Sequence, residues 1–203
     1  MNDQYYTADP QSESRPVGCE FTWRGHSMKF TTDAGVFSKG ELDAGTRILL
    51  DALPETMTGD ILDIGCGWGP IGICVKKHWP ATRVMMGDVN RRALHLTEEN
   101  AVKNGVEVTC RESDGLAEFM EARFDAVITN PPIRAGKQTI YKMFADSAQC
   151  LKENGALYLV IRKQQGADSC MKYLKTIFAE VGILDRSGGF RVLKAYGKKN
   201  AEA

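Results

Sequence analysis

The chain has 203 residues, of which 43% are hydrophobic and 26% charged, and its 26 basic residues balance 26 acidic ones. This composition is ordinary for one globular domain with a substantial core, and a net charge of zero neither indicates nor excludes a nucleic-acid partner. No apolar stretch reaches membrane-spanning length and the N-terminus lacks a signal peptide's basic and apolar regions, so we expect a cytoplasmic protein without a membrane partner.

The spacing of cysteine and histidine bears on redox chemistry and metals. The six cysteines are scattered, mostly within apolar segments, and no two form a C-x-x-C pair. The three histidines show no spacing typical of metal ligands either. We therefore expect the cysteines to be small buried hydrophobic residues in a reducing compartment, and the protein to hold no metal.

The chain divides into three predicted segments. Residues 1–16 are polar and include two prolines, which predicts a flexible N-terminal arm. Residues 17–58 carry the signals of a β-hairpin and one helix, which we expect to pack on the rest of the chain. Residues 59–203 alternate strand and helix patterns without an internal repeat, and form the predicted main domain.

The N-terminal hairpin is predicted from apolar strands on either side of Arg24-Gly25, a pair suited to a tight turn. A loop at 35–40 then precedes a helix with one apolar face, which Pro54 ends. That face consists of Leu42, Thr46, Leu49, Leu50 and Leu53.

From residue 59 onward, strands alternate with helices. Strands are predicted at 60–64, 83–89, 106–111, 124–128 and 155–161, helices from Pro70 to Pro80 and over 91–103, 140–151 and 171–182, and a closing hairpin at 183–196. Successive strand–helix units imply a doubly wound, mostly parallel sheet with helices on both faces. With the closing antiparallel hairpin, the prediction is a seven-stranded, Rossmann-like α/β fold.

In such a sheet, a ligand lies beyond the carboxyl ends of the strands, where the strand order reverses. The residues predicted at those ends are glycine, polar or charged, whereas the strand bodies are apolar. They are Gly65, Gly67, Asp88, Ser113, Asp114, Asn130, Arg162 and Lys163. This agreement across five strands supports a ligand site more strongly than any one motif does.

The glycine run Asp63–Gly67 lets backbone pass close to a ligand, because glycine has no side chain and tolerates positive φ. Asp88 is placed to bind a ribose diol. A nicotinamide cofactor would use the same two features, but Asp63 would repel a pyrophosphate and suits the cationic amino-acid end of S-adenosylmethionine. Asp114 would accept from the adenine amine, although helix caps or turns also explain Asp63 and Asp114 taken singly.

The fourth strand ends abruptly in Asn130-Pro131-Pro132, because proline has no N–H to donate and fixes φ. The Asn130 amide and the Pro131 carbonyl are therefore left as acceptors beyond the sheet. A planar –NH2 group, such as the exocyclic amine of a base, has two hydrogens to donate to them. The alternative is a strand followed by a rigid turn.

Asp63–Gly67, Asp88 and Asn130-Pro131-Pro132 together resemble a class I S-adenosylmethionine-dependent methyltransferase. A closer similarity, to the small-subunit ribosomal RNA guanine-N2 methyltransferases of the RsmC type, is carried by Phe37-Ser38, 42–46, 130–137 and 188–193. The resemblance covers roughly residues 17–198 and implies that 59–203 is the methyltransferase domain. Many members carry a second, degenerate domain before the catalytic one. Because 203 residues are too few for both domains, we expect a single-domain member here.

The resemblance implies a partner, ribosomal RNA or the small ribosomal subunit, and a role for each matching residue. The cofactor pocket would be lined by Thr46, Asp63, Gly65, Cys66, Gly67, Asp88, Val89, Ser113, Asp114, Gly115 and Asn130. Catalysis would fall to Asn130, Pro131 and Pro132, which hold the target amine. The substrate would meet Phe37 and Ile133, with Arg134, Lys137, Arg162 and Lys163 as a basic rim for RNA phosphates.

The residue after Asn-Pro-Pro bears on the substrate. Amino-methyltransferases acting on adenine or protein glutamine usually place an aromatic residue there, and Ile133 offers only apolar contact. We therefore favour guanine N2, in an unpaired or flipped nucleotide. Adenine N6 or protein glutamine, a nicotinamide-dependent oxidoreductase, and a non-catalytic RNA-binding module remain the alternatives.

Overall fold

A two-stranded hairpin opens the computed structural model, which describes residues 7–199. β1 (Val17–Trp23) and β2 (His26–Thr32) pair antiparallel, with Trp23 opposite His26 across the turn. The turn residues Arg24 and Gly25 both have positive φ, as two-residue hairpin loops of the favoured type require. The predicted N-terminal hairpin is confirmed.

The main sheet has seven strands in the order β5-β4-β3-β6-β7-β9-β8. Its elements, with the helix that precedes it, are α1 (Ala44–Ala52), β3 (Asp60–Ile64), α2 (Pro70–His78), β4 (Arg83–Asp88), α3 (Arg91–Lys103), β5 (Thr109–Glu112), β6 (Phe124–Thr129), α4 (Lys137–Cys150), β7 (Leu151–Arg162), α5 (Ala167–Ile177), β8 (Phe178–Asp185) and β9 (Phe190–Lys198). The first five strands of that order run parallel, and β9 and β8 pair antiparallel. The predicted doubly wound, mostly parallel sheet with a closing hairpin is confirmed.

The strand order reverses between β3 and β6, which places the carboxyl ends of these two strands at the switch point. β3 leads into Gly65, and β6 leads into Asn130. The Thr129 hydroxyl donates to the Ile64 carbonyl at 2.8 Å and ties the two strand ends together. The two motifs of greatest interest therefore lie side by side.

Three predicted boundaries were wrong. β5 begins at Thr109 rather than Val106, because the Val106 N–H bonds back to the Ala101 carbonyl and completes the C-cap of α3. β7 begins at Leu151 rather than Gly155, across an irregularity in its pairing with β6. The helix predicted over 171–182 ends at Ile177, because the chain from Phe178 pairs with β9 instead.

The N-terminal hairpin is held on the main domain by two asparagines of α3. Asn100 and Asn104, one helical turn apart, each exchange two hydrogen bonds with the backbone of β2, at Thr31 and Lys29. Their amides thus pair with the strand as a neighbouring strand would. This contact fixes the hairpin against α3.

The core lies on both faces of the sheet. One buried cluster packs the hairpin, α1, α2 and α3 on one face, and the other packs α4 and α5 on the opposite face. Such double burial explains why the central strands have nearly continuous apolar sequences. No helix within residues 7–199 is long and apolar enough to cross a membrane.

The predicted N-terminal arm falls partly outside the described part of the chain, which begins at residue 7. Within it, the Ala8 carbonyl accepts from the Arg91 N–H, and the Arg92 guanidinium donates to the carbonyls of Pro10 and Ser12. These bonds place the segment at the start of α3. The division of the chain at residues 16 and 58 stays a prediction.

Candidate active site

A cleft opens at the carboxyl ends of β3, β4 and β6, at the switch point of the sheet. Among its walls are thirteen residues that the sequence analysis assigned to the site: Phe37, Thr46, Gly65, Cys66, Gly67, Asp88, Val89, Ser113, Asp114, Gly115, Asn130, Pro131 and Pro132. The cleft therefore joins the glycine loop after β3 to the Asn-Pro-Pro turn after β6.

The glycine loop leaves room for a ligand against its backbone. Gly65 and Gly67 both have positive φ, and a Cβ built at either would meet no atom within 4 Å. The Gly65 and Cys66 N–H groups donate to the Gly87 carbonyl at 2.8 and 3.0 Å, which fixes the loop on β4. A ligand can thus approach the main chain where any larger residue would project into the cleft.

Asp88, at the end of β4, is held by backbone donors. Its Oδ2 accepts from the Gly67 N–H at 2.8 Å and its Oδ1 from the Asn90 N–H at 2.9 Å. Burial raises the pKa of this carboxyl, whereas the two N–H groups act to lower it. Each oxygen keeps lone pairs that can accept from neighbouring hydroxyls of a diol.

Asp63 lies beneath the glycine loop rather than on the cleft wall. It is fully buried, its Oδ2 accepts from the Gly72 N–H at 2.8 Å, and its Oδ1 has no hydrogen-bond partner among the described residues. Burial, with the nearby Asp88 charge, raises the pKa of Asp63 to about 7. A buried carboxyl with an unpaired oxygen fits a site that receives a cationic group.

Asp63 should make stability depend on pH. The folded protein keeps this proton up to about pH 7, whereas the unfolded chain loses it near 3.8, so stability falls as pH rises through that window. The expected loss is on the order of 3–4 kcal/mol. Urea unfolding of the ligand-free protein at pH 4.5, 6 and 7.5 should show it, and Asp63→Asn should flatten it. An unchanged slope in the variant would remove Asp63 as its source.

The Asn130 side chain has a defined orientation. Its Nδ2 donates to Asp43 Oδ2 at 3.0 Å and to Thr46 Oγ1 at 2.9 Å. A carboxylate can only accept, so the –NH2 end must face Asp43 and the amide oxygen points the other way. Asn130 Oδ1 has no hydrogen-bond partner among the described residues, and the residue lines the cleft.

Asp43 was not predicted as a site residue. It is the N-cap of α1, and its Oδ2 accepts from the Thr46 N–H at 2.9 Å as well as from Asn130. The sequence D-x-x-T is an ordinary helix start, and nothing in it signals a partner 87 residues away. Only the fold brings the start of α1 against the end of β6.

Ten further residues of the cleft wall were also missed. They are Ser38, Trp68, Pro70, Ile71, Ala93, Ala135, Thr139, Lys142, Met143 and Asp146. Five of these belong to α4 or the turn before it, where Lys142 and Asp146 form an ion pair at 2.5 Å. The helical periodicity of α4 marks the residues that face the core, but it carries no signal for those that face a ligand.

For two predicted cofactor residues, Ser113 and Cys66, the structure shows what surrounds the side chain. The Ser113 hydroxyl donates to the Gly115 carbonyl and accepts from the Glu118 N–H, so it shapes the loop after β5. Cys66 is buried, and burial raises the pKa of its thiol well above the ordinary value, which favours the neutral thiol over a thiolate. Within residues 7–199, no group of three His, Cys, Asp or Glu side chains is placed to hold a metal ion.

The predicted substrate residues, apart from Phe37, lie outside the cleft. Ile133 packs against the core cluster on the α4 side, and Arg134 and Lys137 are exposed at the start of α4. Arg162 and Lys163 are exposed at the end of β7, where the Arg162 guanidinium lies 4.6 Å from the Phe190 ring centroid. The predicted basic rim, with Arg134 and Lys137 after β6 and Arg162 and Lys163 after the neighbouring β7, stays a prediction.

Comparison with known proteins identifies a family and its relatives. The family model of the methyltransferase small domain matches residues 27–194. YbxB, an uncharacterized protein of Bacillus subtilis (strain 168), is 40% identical over 96% of this chain and 98% of its own length. The ribosomal RNA small subunit methyltransferase C of Hahella chejuensis is 36% identical over 95% of this chain, which spans 58% of that protein.

Solved structures share the fold. The Thermus thermophilus 16S rRNA N2 G1207 methyltransferase (RsmC), in complex with AdoMet and guanosine, superposes with a TM-score of 0.82 at 23% identity. That match covers 90% of this chain and 51% of the other, so this chain spans about half of that protein's length. The ribosomal protein L11 methylase of Lactobacillus delbrueckii gives a TM-score of 0.66 at 20% identity.

The extent of the family match and the cleft at the switch point lead to one assignment. The glycine loop alone also allowed a nicotinamide-dependent oxidoreductase, and the family match does not support that alternative. The chain belongs to the methyltransferase small domain family, with the class I fold and with S-adenosylmethionine as its cofactor.

Proposed function

We propose that this methyltransferase transfers a methyl group to the exocyclic N2 of a guanine in small-subunit ribosomal RNA, in the cytoplasm. The observation that carries the proposal is the orientation of Asn130, whose amide oxygen is left without a partner beside the cofactor cleft. The relatives named ribosomal RNA small subunit methyltransferase C, and the fold shared with an enzyme of that kind, support it.

The residues of the cleft fit each part of S-adenosylmethionine. Asp88 would accept from the ribose hydroxyls, and Asp114 from the adenine amine. Gly65 and Gly67 would let the chain of the cofactor lie against the backbone. Asp63 lies beneath the glycine loop and would act on the ammonium of the amino-acid end from there, through water rather than by direct contact. S-adenosylmethionine supplies an electrophilic methyl group on its sulfonium.

The protein's main chemical task would be to stabilise the positive charge that develops on the amine nitrogen. The exocyclic amine of guanine is a weak nucleophile, because its lone pair is delocalised into the ring, and positive charge grows on nitrogen as the new bond forms. Asn130 Oδ1 and the Pro131 carbonyl would accept the two amine hydrogens and stabilise that charge in the transition state. Asp43, bonded to the other end of the Asn130 amide, polarises it and makes Oδ1 a stronger acceptor.

No side chain on the described walls is suited to act as a strong base near Asn130. None of the three histidines lines the cleft, and the Asp43 carboxylate is engaged by Asn130 and by the cap of α1. The mechanism needs none, because a methylated exocyclic amine loses its extra proton readily to water. Acceptor geometry, rather than proton abstraction, would therefore supply most of the rate enhancement.

The proposal is tested by offering the enzyme labelled S-adenosylmethionine with naked small-subunit ribosomal RNA, with intact subunits and with ribosomal protein. Label is expected in RNA, in one or a few positions. Label confined to protein would contradict the RNA assignment and favour an amide substrate. Absence of transfer to any of the three would contradict a ribosomal substrate.

Asp43 is expected to increase the turnover rate by orienting the Asn130 amide. Asp43→Ser keeps a good N-cap for α1 but removes the carboxylate that holds the amide. We expect thermal stability within about 1 kcal/mol of the parent and single-turnover rates at least about tenfold lower. Thr46→Val, which removes the other acceptor, should act in the same direction.

A double-mutant cycle separates positioning from structural damage. If Asp43 acts by orienting Asn130, Asp43→Ser should have little further effect on the rate in an Asn130→Ala background. An equal loss in both backgrounds would mean that Asp43 affects the cleft by another route.

A further inference from the structure

A second cleft lies beside the active site, between the turn after β7 and the hairpin of β8 and β9. We call it the basic groove. Its polar and aromatic lining consists of Lys163, Asp168, Arg186, Gly189, Phe190 and Arg191. Arg186 lies in the β8–β9 turn, within the predicted closing hairpin.

The basic groove is locally cationic in a chain of zero net charge. Three cations line it against one carboxylate, an excess of two. Asp168 pairs with Arg191, and this guanidinium lowers the pKa of the Asp168 carboxyl below its ordinary value. Lys163 and Arg186 make no ion pair within 4 Å and no side-chain hydrogen bond among the described residues, and the Lys163 charge acts on Asp168 only at longer range, where it helps to lower the pKa of that carboxyl. These two cations are therefore available to an anionic partner.

The groove is connected to the active site through the sheet. Asn130 follows β6, β6 pairs with β7, and β7 pairs with β9 up to Arg162 opposite Phe190. Two strand spacings, roughly 10 Å, therefore separate the end of β6 from the edge of the groove. The Phe190 ring also packs on the backbone of Gly45, where a Cβ would come within 2.8 Å of it, and Gly45 precedes Thr46, which holds Asn130.

An exposed guanidinium lies next to the groove, on Arg162, which precedes Lys163. Arg162 is stacked over Phe190, at 4.6 Å from the ring centroid, which holds its planar group in place. Planar guanidinium groups can stack on unpaired bases, and they can donate two hydrogen bonds to one phosphate. Besides Phe190, the apolar lining of the groove consists of Met171 and Ile183, both half-buried, whereas the centre of a protein interface is usually more extensively apolar.

We propose that the basic groove binds the phosphate backbone of the RNA next to the methylated nucleotide, with Lys163 and Arg186 as the phosphate ligands. The inference rests on the proposed RNA substrate, and it names the surface that holds that substrate. It also accounts for how a chain without net charge holds a polyanion near Asn130.

The test is binding of full-length, in vitro transcribed small-subunit ribosomal RNA to Lys163→Gln/Arg186→Gln as salt is raised. The dissociation constant is expected to rise about tenfold or more at 0.1 M salt, and the slope of log K against log salt to fall by about 1.4, for two lost contacts to single-stranded RNA. The affinity for S-adenosylmethionine should not change. The charge-preserving pair Lys163→Arg/Arg186→Lys should restore RNA binding.

A matched control removes two lysines near the opposite end of β9 from the groove. Lys175, in the last turn of α5, and Lys198, at the end of β9, are exposed, and their double glutamine variant should bind RNA like the parent. Equal loss in both double variants, or none in the groove variant, would overturn the groove. Loss seen only with intact subunits and not with naked RNA would mean a protein contact and would also overturn it. If the parent protein bound RNA through the groove but never methylated it, the proposed function would be contradicted while the groove proposal would stand.

Discussion

Asn130→Ala is expected to lower the rate of methyl transfer by about a hundredfold or more while leaving S-adenosylmethionine affinity nearly unchanged. The acceptor that Asn130 contributes matters most when the amine becomes positive, so its loss should appear in the chemical step. Single-turnover rates at saturating RNA, set beside calorimetric titration of the cofactor, separate the two quantities. Full activity in the variant would reduce the Asn-Pro-Pro turn to a structural role.

A control for general destabilisation lies far from the cleft. Asn104 holds the N-terminal hairpin through Lys29, so Asn104→Ala should lower the melting temperature. Its rate of methyl transfer should stay within a few-fold of the parent. If Asn104→Ala and Asn130→Ala slowed the reaction alike, the effect of Asn130 would reflect folding rather than chemistry.

Asp88→Ala is expected to weaken S-adenosylmethionine binding by roughly 1.5–3 kcal/mol, about 10- to 150-fold. The substitution removes an acceptor for the ribose and also the Oδ2 atom that anchors the Gly67 N–H. Asp88→Asn, which keeps one oxygen for Gly67 but loses the charge, should fall between the parent and the alanine variant. Isothermal titration measures all three, and an unchanged affinity in Asp88→Ala would exclude this residue from the cofactor site.

Much of the fold could be predicted because its signals are local. Prolines at 70 and 80 bracket the second helix, Asn104-Gly105 ends the third, and short apolar runs mark the strands. Strand ends were informative for the same reason, since the carboxyl edge of a parallel sheet gathers whatever residues follow each strand. This is why the glycine loop, Asp88 and Asn130 were found together before the fold was known.

What escaped prediction depends on contacts between distant parts of the chain. Asp43 approaches Asn130 only because α1 packs over the switch point, and Arg186 lines the same groove as Lys163 only because the last hairpin returns beside β7. The wrong end of α5 has a related cause. Leu174 and Phe178 are four residues apart and both buried, which suits a helix, but pairing with β9 draws Phe178 into a strand.

The identity of the modified nucleoside tests the central claim most directly. Small-subunit ribosomal RNA methylated by the enzyme is digested to nucleosides and analysed by mass spectrometry against standards. N2-methylguanosine is expected, and it should be absent when the Asn130→Ala variant is used under the same conditions. Recovery of N6-methyladenosine, or of a ring-methylated guanosine, would contradict the assignment of the guanine exocyclic amine as the acceptor.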